Sequence, residues 1–374
     1  MNLLRFIYLL VILTYLVLYY CISSLIPLLW SIHHFISIIS SSSVLLVKIG
    51  KILSVRPDIC GDKLAIILSE LRKDVTPVNM DLYNILDVNI KSRLCSIDIE
   101  PLACGSVAQV YTAYIMLNNS TEKVIFKILK QHAINQINKD LDIAKSLAKI
   151  IDYFKPMWHA SKCLDEIGSY ILKQTDFNLE KGNIELFRKR GYNVPIVYNE
   201  MCRNNILCME YIESHSYTKE EKNKMFLKLC NKMMTAPLLL HMDLHPANVI
   251  WSKKGPYLID LGLTQLIPEN IYLLFIKAIL TLHTKNYDEF ALLFLKEEQE
   301  VPIGWVEFIS SVFPIKINTS SVIQIFIAII RNCHKYKVSI DERMSGLVMT
   351  IVIINGHYDN LNDGKKDFLQ QVLF

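Results

Sequence analysis

Between Arg5 and Lys48 the chain carries no charged side chain, and no other feature limits its possible folds as strongly. The stretch from Phe6 to Trp30 is almost wholly apolar and supplies the roughly 20 helical residues that cross a bilayer. No convincing small-x-small cleavage site stands near its end, so a retained membrane anchor is favoured over a cleaved signal, a transit sequence or a buried helix. The aromatic residues available for the membrane interfaces are Tyr15, Tyr19, Tyr20 and Trp30.

Composition excludes several classes of protein. Hydrophobic residues make up 52% of the 374 residues and charged residues 20%, which is unlike a disordered or collagen-like chain. The 40 basic and 36 acidic residues give a net charge of only +4, and no basic stripe alternates with aromatics, so we expect no nucleic-acid partner. The nine cysteines form no CxxC pair and fit neither a disulfide framework nor a zinc site, which favours a reducing compartment.

Hydrophobic patterning predicts a β-containing segment between two helical ones. Two strands rich in β-branched and aromatic residues, Ser106–Tyr114 and Lys123–Leu129, are joined by the turn residues NNS (118–120). Further helices are predicted at Val44–Leu71, Asn138–Phe154, Lys162–Arg190 and Thr218–Met234, and throughout the chain after Pro268; the first of them is broken at Pro57, with Asp58 to start the next helix. Further strands are predicted at Ile206–Ile212, Asn248–Trp251 and Tyr257–Ile259.

One asparagine and two aspartates have the spacing that phosphoryl transfer requires. In the string HMDLHPAN (241–248), Asp243 precedes Asn248 by five positions. This spacing can place a carboxylate near an attacking hydroxyl and an amide oxygen near a metal ion. Asp260 follows Asn248 by twelve positions, at the end of an apolar strand, where an aspartate can hold a Mg²⁺ that bridges phosphates.

A lysine and a glutamate precede these residues in the order found in kinase-like folds. Lys127 ends the strand VIFK, from which it can reach the phosphates of a nucleotide if a carboxylate holds it. Glu180, on the predicted helix Lys162–Arg190, is a candidate for that carboxylate. Each piece alone has an ordinary structural explanation, since a strand ending in Lys is usually a solvated edge and Asp-Leu-Gly is usually a turn. Their order, with a hinge-like strand before Ile212, predicts a kinase-like fold.

Several segments resemble the UbiB atypical kinase family, the aarF-domain or activity-of-bc-complex kinase-like proteins linked to coenzyme Q. Where a protein kinase has a glycine-rich loop, this chain has PLACGSVAQVY (101–111), which is similar to the family's alanine-rich loop. The resemblance runs from about Val44 to Asp260 and more loosely beyond. The other segments that carry it are VKIGKILSVRPD (47–58), similar to the KxGQ segment, QTDFNLEKGN (174–183), similar to the E-x-D helix, and VPIVY (194–198) with LCMEYIE (207–213), similar to the lobe-linking region.

The resemblance implies an α+β, protein-kinase-like, two-lobed fold with a helical KxGQ-type extension and an N-terminal membrane-spanning helix. The implied domains are an anchor at 1–31, the extension at 32–96, an N-lobe with inserted helices at 97–213 and an α-rich C-lobe at 214–374. The implied localisation is a membrane held by a single-pass anchor, with the kinase-like part on a reducing side that contains ATP. Neither the membrane nor the orientation of the anchor follows from the sequence.

The resemblance also implies roles for individual residues, with ATP and Mg²⁺ as cofactors. Lys127 would bind phosphates and pair with Glu180, Asp243 would stand at the catalytic base position, and Asn248 and Asp260 would be the Mg²⁺ ligands. The remaining implied nucleotide-binding residues are Ala103, Cys104, Gly105 and Ser106 of the loop, Glu210, Tyr211 and Ile212 of the linking strand, and Lys48, which would reach into the active site from the extension.

Two positions depart from the family pattern. Lys51 stands where KxGQ ends in Gln, and Gln174 stands where the E-x-D motif begins with Glu. Because these segments meet in relatives, we expect Lys51 and Gln174 to lie close together and to make the local field more positive. Gly105 replaces an expected Ala, which would let the backbone approach phosphates more closely.

The predicted function is a membrane-associated atypical kinase or ATPase tied to isoprenoid-quinone or other lipid metabolism. Its expected partners are ATP, lipid or membrane, and isoprenoid-quinone biosynthesis proteins. One alternative is an altered pseudokinase that binds lipid or acts as a scaffold. A second is a small-molecule phosphotransferase of the aminoglycoside or choline kinase kind, which shares H-x-D-x-x-x-x-N but is opposed by the KIGK prefix and the ACGS loop. A third is a di-iron enzyme using His241 and His245, which would need more His clusters than the pair at 33–34.

Overall fold

The computed structural model divides the chain into two compact units. The first unit comprises residues 1–182 and 195–211, and the second comprises residues 183–194 and 212–374. The predicted mixture of helix and sheet is confirmed, whereas the four-part domain division stays a prediction. The structure describes residues 3–25, 31–54, 60–72, 77–154, 160–234, 238–293, 295, 300–312, 319–333, 335–338, 342–362 and 368.

The first unit begins with helices. The apolar helix α1 spans Leu3–Leu25 and is long and apolar enough to cross a membrane. The predicted break at Pro57 lies outside the described residues. The helices that follow are α2 (Ile32–Ser42), α3 (Val44–Leu53), α4 (Asp62–Ser69, continued by a 3-10 turn at Glu70–Arg72), α5 (Leu82–Ile85) and α6 (Val88–Arg93).

A five-stranded antiparallel sheet forms the centre of the first unit. Its path runs β1–β3–β4–β5, and β2 also pairs with β3. Asn118 and Asn119 both have positive φ, as a two-residue hairpin turn between β3 and β4 requires, which is why asparagine suits these positions. The strands are β1 (Leu94–Ile97), β2 (Ala103–Cys104), β3 (Ala108–Leu117), β4 (Ser120–Leu129) and β5 (Ile206–Glu210).

Among the described residues between β4 and β5 lie three α-helices and a 3-10 turn at Asn199–Met201. The helices are α7 (Gln131–Phe154), α8 (Ala160–Lys173) and α9 (Phe177–Lys189). The single helix predicted at Lys162–Arg190 is therefore wrong, since the chain breaks at 174–176. The cause is Asp176, whose Oδ1 accepts the backbone N–H of Asn178 at 2.9 Å and of Leu179 at 3.2 Å. A side chain that satisfies these otherwise unpaired donors starts a new helix.

The second unit is mostly helical, with two short strand pairs. Strands β6 (Leu238–His241) and β9 (Thr264–Ile267) pair antiparallel, as do β7 (Val249–Ser252) and β8 (Gly255–Leu258). The predicted helical character after Pro268 is confirmed for the described residues. The helices are α10 (Lys219–Met233), α11 (Glu269–Thr284), α12 (Tyr287–Leu292), α13 (Trp305–Val312), α14 (Thr319–Asn332) and α15 (Glu342–Asn362).

Candidate functional site

A buried ion pair joins strand β4 to helix α9 in the first unit. Lys127 Nζ lies 2.8 Å from Glu180 Oε1 and 2.9 Å from Oε2. The Glu180 side chain is 2% exposed and that of Lys127 12% exposed. Removing two charges from water to this extent is unfavourable unless each satisfies the other. The pair is the one that the resemblance implies, and the phosphate-binding role of Lys127 stays a prediction.

Helix α9 holds Glu180 in place through the cap at its start. Asp176 accepts the first backbone N–H groups, and Glu180 N donates to Asp176 O at 3.1 Å. Glu180 therefore lies in the first turn, where the positive end of the helix favours a carboxylate. The lysine that begins the KxGQ-like motif approaches the same break, since Lys48 Nζ lies 2.6 Å from Gln174 Oε1. Lys51 lies one turn further along α3, and its predicted closeness to Gln174 stays a prediction.

The loop after β2 is braced by a lysine that the sequence analysis did not identify. Ala103 and Cys104 pair with β3, and Gly105 N donates to Ala108 O at 2.9 Å. Lys130, only 3% exposed, donates from Nζ to Gly105 O at 2.9 Å and lies 3.1 Å from Cys104 Sγ. The backbone carbonyl at Gly105 is thus bound to a cation from the end of β4. Ser106 follows as a half-buried residue of the same loop.

The linking strand is tied into the first unit through its backbone. Glu210 N donates to Ile196 O at 2.8 Å, and Glu210 Oε2 accepts Ile196 N at 3.1 Å. Tyr211 N donates to Lys123 O at 3.4 Å, and the Lys123 ammonium lies 3.8 Å from the centre of the Tyr211 ring. Ile212, the third predicted residue, belongs to the second unit and is buried.

In the second unit, His241 connects the two predicted catalytic segments. Its ring is fully buried; Nδ1 accepts the backbone N–H of Asp243 at 3.2 Å, and Nε2 donates to Ile259 O at 3.1 Å. These two bonds require the neutral tautomer with the proton on Nε2. Burial lowers the pKa of His241, which also favours the neutral ring. His241 thereby holds Asp243 and the residue before Asp260 in one network.

Asn248 adds three bonds to that network. Its Nδ2 donates to Asp243 O at 2.9 Å, its backbone N donates to His245 O at 2.9 Å, and its carbonyl accepts Ile259 N at 3.0 Å. Because the NH₂ end of the amide is used in this way, the Oδ1 end is the one that remains to accept a cation. His245 Nδ1 accepts Ala247 N at 3.3 Å, which caps the 3-10 turn at Pro246–Asn248.

Asp260 has a backbone conformation that few residues adopt. Its φ is +56°, in the left-handed region that aspartate tolerates better than most side chains. Asn183, from helix α9, donates from Nδ2 to Leu261 O at 2.7 Å and so holds the residue after it. Asp260 is therefore fixed on both sides, by His241 through Ile259 and by Asn183 through Leu261.

Helix α15 contacts the loop at 241–248, which contains the predicted catalytic base, through His357. His357, 3% exposed, donates to the backbone carbonyl of Leu244, and its ring centre lies 4.1 Å from that of Phe226. Burial lowers the pKa of His357 to about 4, so the ring is neutral near pH 7. The sequence carries no local signal for this contact, since 113 residues separate the two positions.

The donor set fits magnesium better than a redox metal. Asn248 and Asp260 offer amide and carboxylate oxygens, which Mg²⁺ prefers and usually completes with water and phosphate oxygens. Both ring nitrogens of His241 are engaged with the backbone, which opposes the di-iron alternative. Within the described ranges, no group of three or more His, Cys, Asp or Glu side chains could hold a metal by itself.

The comparisons of this sequence with known proteins agree on one family. Residues 78–293 match the model of a family described as the ABC1 atypical kinase-like domain. A probable protein kinase UbiB from Shewanella sp. (strain W3-18-1) is 26% identical over 289 residues, 70% of this chain and 51% of the relative. The Arabidopsis thaliana protein ACTIVITY OF BC1 COMPLEX KINASE 1, chloroplastic, is 27% identical over 270 residues, 66% of this chain and 39% of the relative. The chain thus spans about half the length of the curated relatives it matches, or less.

A solved structure also aligns with part of the chain. It is the ternary complex of streptomycin, ATP and APH(2")-IIa. The alignment covers 55% of this chain and 78% of the chain in that structure, and the two sequences are 12% identical. The TM-score is 0.28, which is too low to support the phosphotransferase alternative or to oppose it.

Proposed function

The chain belongs to the ABC1 atypical kinase-like family, as its motifs indicated, and from that premise we propose that it binds Mg-ATP and acts as a membrane-associated atypical kinase or ATPase. The observation that carries the proposal is the buried Lys127–Glu180 pair. A lysine held in this way keeps its ammonium at one position, which is what binding of nucleotide phosphates requires.

The other roles follow from chemistry and from the family resemblance. Asn248 and Asp260 would hold Mg²⁺, which neutralises the phosphates, and Asp243 would orient or deprotonate the attacking hydroxyl. The backbone of the 103–106 loop and of 210–212 would meet the nucleotide, and Lys48 would act from the helical extension. The reaction served would lie in isoprenoid-quinone or other lipid metabolism, with proteins of that metabolism as partners and α1 as the membrane attachment.

A thermal-shift measurement with Mg-ATP tests the proposal. Binding to the folded state raises the melting temperature by mass action, and Lys127→Ala and Asp260→Asn should each abolish the rise. Matched controls are Lys254→Ala and Asp142→Asn, which remove the same groups from exposed positions and should respond like wild type. An undiminished rise in Lys127→Ala or Asp260→Asn would overturn the proposed roles.

The pseudokinase is the second candidate, because one contact favours it. Lys48 bonds to the neutral amide of Gln174, where the family pattern has a carboxylate. If the altered contact has removed catalysis, the chain binds Mg-ATP without turning it over. ATP hydrolysis by wild type, compared with Asp243→Asn, separates the two candidates, since only an active enzyme loses activity in the variant. If the chain is an active enzyme, Gln174→Glu is expected to alter the Mg²⁺ dependence of its turnover.

A further inference from the structure

Helix α1 has two different faces along its length. Positions 5, 6, 9, 12, 13, 16, 19 and 20 are buried or half-buried, and this i, i+3, i+4 spacing defines one continuous stripe. The opposite face is exposed and, apart from Thr14, consists of apolar, aromatic and cysteine side chains. We call this opposite face the outer stripe. Its large members are Leu3, Leu4, Ile7, Tyr8, Leu10, Val11, Tyr15, Val17 and Leu18.

The inner face is fastened to the first unit near the start of the helix. Arg5 Nε lies 2.7 Å from Asp140 Oδ1 and Arg5 Nη2 lies 2.6 Å from Oδ2, a bidentate pair with α7. The Asp140 side chain is fully buried, and its Oδ2 also accepts a hydrogen bond from Ser43 Oγ at 2.5 Å. Arg5, the one charged residue in the sequence of α1, is therefore paired with a buried carboxylate, and its guanidinium also lies 5.0 Å from the centre of the Tyr8 ring.

The inner face is also fastened at the far end. On this face Tyr19 Oη accepts Ser31 N at 3.0 Å, and beside it Tyr15 Oη, of the outer stripe, lies 3.2 Å from His34 Nε2. Between the two ends, Leu16 is buried in a cluster that includes Val47 of α3 and Leu68 of α4. Helix α1 is thus packed on the helical extension from Arg5 to Tyr20, about 22 Å at 1.5 Å per residue.

This packing is incompatible with α1 crossing a bilayer. A crossing helix would take its packed neighbours into the hydrocarbon, and α3 and α4 carry Lys48, Lys51 and Lys63. A charged residue at membrane depth is unfavourable by at least about 2.5 kcal/mol. Lys48 is in addition bonded to Gln174, within the first unit.

We propose that α1 lies in the plane of the membrane, docked on the helical extension, and inserts its outer stripe into the acyl chains of a single leaflet. The occupant is lipid because the stripe has no charge, and because Thr14 satisfies its hydroxyl internally by donating to Leu10 O at 2.8 Å. The neighbouring helix α2 shows the contrast, since its exposed face includes Ser37, Ser40 and Ser41. A surface stripe as apolar as that of α1 marks an interaction site in a folded protein.

Flotation of the full chain with phosphatidylcholine vesicles tests the surface. Wild type should float, and Val11→Lys combined with Leu18→Lys should return to the level without vesicles while its melting temperature stays within a few degrees. Ser37→Lys combined with Ser40→Lys is the matched control and should float like wild type. Flotation of the α1 lysine variant would overturn the proposal. A wild-type chain that does not float and is a dimer would also overturn the proposal, because a second copy of the chain would then cover the outer stripe.

Depth measurement tests the orientation. Spin labels at Leu4→Cys, Val11→Cys and Leu18→Cys, in a chain whose exposed Cys21 and Cys95 are serine, should lie at similar shallow depths. A crossing helix would instead place the label at position 11 about 10 Å deeper than the label at position 4. That gradient would overturn the in-plane arrangement. The inference rests on the proposed membrane attachment and not on ATP binding, so a chain that floats without a nucleotide-induced thermal shift would fail only the nucleotide proposal.

Discussion

The Lys127–Glu180 pair has a structural role and a proposed chemical role, which mutations can separate. Glu180→Gln removes the carboxylate that binds the Lys127 ammonium in a site that water barely reaches. We expect the free energy of unfolding to fall by about 3 kcal/mol, measured by urea denaturation. The double variant Lys127→Met, Glu180→Leu replaces the pair with apolar groups and should recover much of the loss.

The same double variant isolates the chemistry. It is expected to be close to wild type in stability and to show no thermal shift with Mg-ATP, because its phosphate-binding cation is gone. A double variant that keeps the wild-type nucleotide response would show that Lys127 and Glu180 are structural only.

His241 is a positioning residue for the predicted catalytic base. Because both ring nitrogens bond to the backbone, His241→Phe would leave Asp243 N–H and Ile259 C=O without these partners. We expect a loss of about 1 to 3 kcal/mol in the free energy of unfolding. Turnover of ATP should fall more than the affinity for it. Equal unfolding free energies and equal turnover in the two proteins would contradict this role.

Helix α15 supplies a pH-dependent support to the predicted catalytic loop (241–248) through His357. Its pKa in the folded chain is about 4, below the ordinary histidine value of 6.5. The unfolded chain therefore takes up a proton below about pH 6.5 while the folded ring stays neutral. The free energy of unfolding should fall by about 3 kcal/mol between about pH 7.5 and pH 4, and His357 should contribute almost no slope above about pH 7.5.

Urea denaturation across this pH range, for wild type and His357→Phe, measures the contribution. The variant lacks the titrating ring, so its curve should be flatter than that of wild type by the amount assigned to His357. Parallel curves for the two proteins would contradict the assignment.

The elements that follow local patterns were predictable, and those that depend on distant contacts were not. The β3–β4 hairpin was predicted because Asn118 and Asn119 signal its turn within a few residues. The break before α9 was missed because Asp176 was placed in a continuous helical pattern instead of being taken as a cap. The β6–β9 pair was missed because each strand has only four residues and the partners are joined by long-range contacts.

The candidate site shows the same division. The resemblance implied Glu180 as the partner of Lys127, and the structure has this pair, whereas the roles of Asp243, Asn248 and Asp260 stay predictions. The supports of these residues were not identified: Lys130 behind the loop, Asn183 on Leu261 and His357 on Leu244. Each of them acts on a backbone carbonyl, and such a bond leaves no characteristic residue type at the receiving position.

Helix α1 is part of the packing of the first unit as well as its proposed membrane contact. Deletion of residues 1–30 should abolish flotation with vesicles, because the outer stripe is gone. It should also lower the melting temperature, because Asp140 loses Arg5 while remaining buried. Adding Asp140→Asn to the truncated chain should recover part of the loss. If truncation leaves the melting temperature unchanged, α1 is not docked as described.

We propose above all that the chain binds Mg-ATP, with Lys127 as the phosphate-binding lysine and with Asn248 and Asp260 as the metal ligands. Calorimetric titration of the full chain with ATP, in Mg²⁺ and again in EDTA, tests it most directly. One ATP should bind per chain in Mg²⁺, and the affinity should drop at least about tenfold in EDTA, about 1.4 kcal/mol, because the metal bridges protein and phosphates. Absence of binding heat in Mg²⁺, or equal affinity in EDTA, would contradict the claim.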